Sequence, residues 1–255
     1  MNKKLHQIIY QLVILTFVSF FIHSSTAIAA DQIIVNTAID LLSSDKSCSL
    51  RESIILANAF ESSSGTMRSL GGCSMIDDGN AADTQLYIIL SAGETYSLTR
   101  KSLGEDASRY GDLDVSSSIV IKTTVEGEQT TIDAGSDTGL IDRVLHVQSG
   151  YNVKLQDLVV TGGYLSMQMS ADGAGIFIDE GSQVELQNTS VSENSLVTVC
   201  NISCHVRGGG IYISTNSSLM MTQSVVSYNT MESEEGVADG AGLYAEEGSE
   251  LNINL

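Results

Sequence analysis

Cys48-Ser49-Leu50-Arg51-Glu52 places a thiol, a hydroxyl, a guanidinium and a carboxylate in consecutive positions ahead of an apolar run, the parts of a nucleophile with its helpers. A nucleophile of this kind needs a base within hydrogen-bond reach. Beyond the first thirty residues the chain has two histidines, His146 and His205, both outside this module. A second candidate is "GEDASRYGDLDV", with Glu105, Asp106, Asp112 and Asp114. Asp112 and Asp114 share one face of a strand because side chains alternate, and together they could offer oxygens to calcium, although the spacing fits no recognised calcium loop. The other reading is a solvated strand edge with Leu113 and Val115 turned inward. A third candidate is Cys200, Cys204 and His205, three zinc-ligand types that lack a fourth partner at a recognisable spacing. Hydrolysis of a glycosidic bond needs two converging carboxylates. The acids here are scattered: Asp77-Asp78 precedes the first long strands and Asp142-Arg143 stands alone. A polygalacturonase-like enzyme would show N-T-D and G-H-G, where this chain has Asn188-Thr189-Ser190 and Cys204-His205-Val206.

The elements that must carry these residues begin after a leader. Lys3 and Lys4, the apolar run Ile8 to Ile22 and the small-x-small Ala27-Ile28-Ala29 read as a signal peptide covering residues 1–29. Its cleavage leaves 226 of the 255 residues for export, to a periplasm, an outer cell surface or the medium, with no membrane span remaining. Export favours disulfides. Cys48–Cys73 and Cys200–Cys204 form the simplest of the three pairings that four cysteines allow. Of the 12 basic residues two lie in the leader, so 10 face 31 acids, a net of about −21. Such a surface repels nucleic acid and anionic lipid.

Three segments align in phase: "GAGIFIDEGSQVELQNTSVSEN" from Gly173, "GGGIYISTNSSLMMTQSVVSYN" from Gly208 and "GAGLYAEEGSELNINL" from Gly240. Each alternates apolar and polar residues, the period of a half-buried strand. A strand-only repeat cannot bury its inner face alone and must stack on its neighbours. The expected fold is all-β, a parallel β-solenoid with Ile119, Val153, Val184, Leu219 and Leu251 in one internal ladder, about 4.8 Å per coil. Asn194 and Asn229 fall at equivalent corners, where stacked amides could bond along the axis. The glycine triplets 173–175, 208–210 and 240–242 share another corner, where a turn is tight or a backbone comes close. Ser49 with Glu52 reads as a capping box. Leu50, Ile54 and Ala57 then form an apolar stripe suited to covering the open first coil. Domain bounds follow: leader 1–29, N-terminal cap 30–86, solenoid 87–255. The last coil has no polar terminal repeat, so a C-terminal continuation or a partner is expected to cover it.

In this order the motifs "VNTAID…CSLRESIILAN", "DTQLYIILSAGETYSLT", "GEDASRYGDLDVSSSIVI" and the glycine-rich repeats closely resemble those of CSLREA-type proteins. "GGGIY" and "VSYN" are also similar to the repeats of polymorphic outer-membrane proteins, with Val191 and Val226 where that family has phenylalanine. The resemblance implies a right-handed parallel β-helix of the pectin-lyase type with a short capping helix, secreted or held at a bacterial surface. It does not imply a reaction, since one fold hosts unrelated functions.

Recognition is expected where the repeats differ. "YLSMQMSAD" (164–172), "SLVTVCNISCHVR" (195–207) and "TMESEEGVAD" (230–239) lie at one phase and should emerge as loops stacked into a ridge. The ridge holds Tyr164, Met167, Met169, His205, Arg207 and Met231. The sequence therefore reads as a non-enzymatic adhesion or recognition protein for a surface protein or glycan. The alternative is a polysaccharide lyase or glycoside hydrolase on the same scaffold. No cofactor is implied, calcium apart.

Overall fold

The computed structural model describes residues 31–77, 85–100, 105–135, 142–198, 204–234 and 236–254. The expected leader, Asp78 and Cys200 lie outside them. Among the described residues no helix is long and apolar enough to cross a membrane.

Parallel strands stack as a β-solenoid of about five turns. The chain visits three walls in order. The first is a nine-stranded sheet that includes Asp31–Ile34, Leu86–Leu90, Ile119–Thr123, Asn152–Gln156, Gln183–Gln187, Ser218–Thr222 and Glu250–Asn254. The second runs from Thr95–Ser97 to Val225–Ser227, and the third from Leu113–Val115 to Leu243–Ala245. Ile119 pairs with Val153, Val153 with Val184, Val184 with Leu219, and Leu219 with Leu251, so the expected ladder is the actual register. Period two fixes this register, because a slip by one residue would turn every apolar side chain outward. Val153, Val184 and Leu219 are buried, and each such side chain stabilises the fold by about 1.5–3 kcal/mol. Leu251 and Ile253, on the last strand, are 41% and 55% exposed.

Both corners are set by small contacts. Asn194 Nδ2 donates to Asn229 Oδ1 at 2.9 Å and to the Val160 and Ser192 carbonyls, and Asn194 Oδ1 accepts from the Gly163 N–H at 2.9 Å. The buried amide thus ties three successive coils. At the glycine corner, a Cβ on Gly175 would sit 2.5 Å from the Gly210 carbonyl, and one on Gly210 would sit 2.5 Å from that of Gly242. The coils pass too closely there for any side chain.

The cap segment 31–77 closes the first coil. Asp31–Ile34 runs parallel to Leu86–Leu90, while Cys73–Asp77 lies antiparallel on its other side, so the cap is continuous with the first wall. The helix α1 (Leu50–Ser62) starts where Ser49 accepts from the Glu52 N–H and Glu52 Oε2 accepts from the Ser49 N–H at 3.0 Å, a complete capping box. Leu50, Ile54 and Ala57 are buried as the stripe requires. Cys48 is disulfide-bonded to Cys73, so it is not a nucleophile.

The insertions differ from expectation: most of their described residues form strands. Tyr164–Met167, Ser195–Thr198 and Thr230–Ser233 form one three-stranded parallel sheet, and Ala171–Asp172, His205–Arg207 and Val237–Asp239 form another. Leu165, Ala171, Ala174, Leu196 and Val206 make a small core between them, separate from the solenoid interior, with Met167 and Met231 packed against it. The same alternation that builds the walls runs through the inserts, so stacking at one phase extends the ladders outward as a fin.

Candidate functional site

The outward column of the third wall sits at the base of the fin. Register places Asp114 beside His146, His146 beside Phe177, Phe177 beside Tyr212, and Tyr212 beside Tyr244. Phe177 stacks on Tyr212 with centroids 5.0 Å apart, Tyr212 on Tyr244 at 5.9 Å, and His146 meets Phe177 edge-on at 5.1 Å. Arginines cover this row. Arg143 lies 4.8 Å over Phe177, and Arg207 lies 4.9 Å over Tyr212 and 5.4 Å over Tyr244. Such cation–π contacts are each worth about 0.5–2 kcal/mol.

Arg207 is thereby committed to the fold. Its Nε and Nη2 donate to the two Asp172 oxygens, both at 2.8 Å, and Nη1 pairs with Glu246. The hydrogen bonds to Asp172 hold its guanidinium well above the ordinary arginine range. Burial, with the hydrogen bond to Glu246, pushes the Tyr212 hydroxyl up as well. This network joins the fin to the third wall.

The other ridge residues divide. Tyr164 is half-buried, its N–H donating to the Asp142 carbonyl at 2.9 Å. Met167 and Met231 support the fin core. Met169 is 63% exposed, and His205 is exposed beside it, its N–H donating to Ser170 Oγ at 3.0 Å. Val237 pairs with His205 in register and is also exposed. His205 and Val237 thus stand side by side on the fin, and Met169 is exposed one residue before the Ser170 that His205 bonds. Cys204 is disulfide-bonded, which removes it from the zinc set.

The aspartates are not on a solvated edge. Asp112, Asp114 and Asp142 are 2%, 0% and 1% exposed. Asp142-Arg143, isolated in sequence, stands beside Asp112, with Arg143 Nη1 3.6 Å from Asp112 Oδ2. Asp112 Oδ2 and Asp142 Oδ2 are buried without a hydrogen-bond partner. Burial, followed by the neighbouring Asp142 charge, raises the Asp112 carboxyl well above the usual carboxylate range, and burial pushes Asp142 up to about 6. In this conformation neither carboxyl is presented to solvent.

Because the folded chain keeps a proton on Asp142 that the unfolded chain releases, this carboxyl favours folding least at high pH. Its penalty grows as pH rises from about 4 to 6 and is complete above that interval. Asp142→Asn should therefore raise stability at pH 7.5 by up to about 3 kcal/mol and leave it little changed at pH 4. Urea denaturation at the two pH values reads the difference; equal effects at both would contradict the assignment.

Glu105 is occupied locally, accepting from the Arg109 and Tyr110 N–H groups at 2.8 and 3.0 Å. Next to it an open recess of about 490 Å³ is lined by Asp106, His146, Gln148, Ser149, Tyr151 and Asp179. A shallow groove of about 330 Å³ on the first wall is charged chiefly by Lys154, paired with Glu185 at 2.8 Å, and by Glu250. The fold and site define a parallel β-solenoid with a lidded N-terminus and a lateral fin. No family model, no curated protein and no solved structure matches the chain.

Proposed function

We propose that this chain is an exported, surface-acting recognition protein of the CSLREA type, and that the edge of its fin binds a partner protein. The carrying observation is the fin itself. Three inserts stack in register around their own core and leave Met169 (63% exposed), His205 and Val237 (49% exposed) open to solvent, the last two side by side. Large apolar side chains held in water on an ordered scaffold suit a protein partner better than a glycan. His205 and Val237 lie on strands, which fix positions more closely than loops do. The surplus of acids directs the choice of partner toward neutral or basic surfaces.

The double variant Met169→Glu, Val237→Glu changes only exposed positions. It should reduce attachment of the purified chain to whole cells of the producing organism at least tenfold while its circular dichroism stays unchanged. Wild-type attachment should vanish after protease stripping of the cells and survive glycosidase treatment. Undiminished attachment of the variant would sink the proposal, and attachment lost to glycosidase alone would replace the protein partner with a glycan.

A further inference from the structure

We propose that Asp106, Asp114 and His146 form a site for one divalent first-row transition ion. Each residue offers a ligand atom within 4.8 Å of the other two. Asp114 Oδ1 and His146 Nδ1 stand 3.1 Å apart, the spacing of two adjacent donors around an ion held at about 2.1 Å. Both are fixed in place. Asp114 is fully buried, with Oδ2 accepting from the Ser108 N–H at 3.0 Å, and the His146 ring is set by the edge-on contact with Phe177. Asp106 is exposed and closes the set from the side of the recess.

The other ring nitrogen faces away from the three donors. His146 Nε2 is buried, has no hydrogen-bond partner and faces Asp179 Oδ2 at 3.9 Å. With an ion on Nδ1, the ring proton sits on Nε2 and faces a carboxylate, the outer arrangement usual for metal-bound histidine. Nitrogen with two carboxylates suits a transition ion, whereas calcium takes six to eight oxygens. The ion would pin the segment that carries Asp106, Ser108 and Gly111 across the first two coils.

The test uses the folded exported chain, stripped with a chelator, and titrates it with Zn²⁺ or Ca²⁺ by calorimetry, with bound metal counted by mass spectrometry. One Zn²⁺ per chain is expected, bound at least tenfold more weakly by His146→Gln and by Asp106→Asn, with Ca²⁺ a poor competitor. Asp106→Asn alters an exposed side chain, so it decides the question even if His146→Gln fails to fold. Absence of stoichiometric Zn²⁺ uptake, or uptake unchanged in the folded variants, overturns the site; equal competition by Ca²⁺ overturns the class of ion.

Discussion

Arg51→Ala should destabilise the protein by about 3–5 kcal/mol, the cost of breaking a buried ion pair by removing one partner. Arg51 is fully buried inside the lid. Its Nε and Nη2 donate to the two Asp40 oxygens at 2.7 and 3.1 Å. Its remaining donors go to the carbonyls of Ser108, Asp112 and Gly111 at 3.1, 3.0 and 2.8 Å. Every guanidinium proton is therefore used, and Asp40 Oδ2 also accepts from the Thr99 and Arg100 N–H groups. One side chain thus ties α1, the segment before it and the loop leading into the third wall. The alanine variant leaves a buried carboxylate and three carbonyls short of donors. Arg51→Lys should recover little, since an ammonium cannot reproduce the planar fork. Thermal unfolding should shift downward by roughly 10 °C in a chain this long. A shift within 2 °C would show that the lid does not depend on this network.

Replacing Cys48 and Cys73 by serine should cost about 3 kcal/mol, the loop-closure term for a sequence separation of 25. The bond joins the residue before the helix cap to the strand that lies against Asp31–Ile34. Its loss should therefore open the lid before the coils separate. Ile33, Ile54 and Leu56, all fully buried, would then meet water. Hydrogen exchange should report faster exchange across 31–77 than across 145–222 in the variant. Uniform loss of protection along the solenoid would contradict this order, because each coil contacts chiefly its neighbours.

Much of this architecture was legible because its signals are local and repeated. The ladder through Val184 and Leu219 follows from strand alternation, the tight corner from the glycine triplets, and the start of α1 from Ser49 and Glu52. The inserts read as loops in the sequence, since only Leu165-x-Met167 shows the alternation plainly and Leu196-Val197-Thr198 breaks it. The site was harder to see. Asp114 and His146 are 32 residues apart and meet only because one coil returns the chain to the same wall. Aligning positions by coil would have revealed the column Asp114, His146, Phe177, Tyr212 and Tyr244. The burial of Arg51 had no such signal, since Asp40 and the accepting carbonyls come from segments without a repeat.

Binding measured per folded molecule, compared between a lid variant and a fin variant, tests the central claim most directly. Ser49→Ala, Glu52→Gln should lower the melting temperature yet leave cell attachment per folded chain unchanged. Met169→Glu, Val237→Glu should do the reverse, keeping the melting temperature and losing attachment. Attachment lost with the lid variant and kept by the fin variant would contradict it.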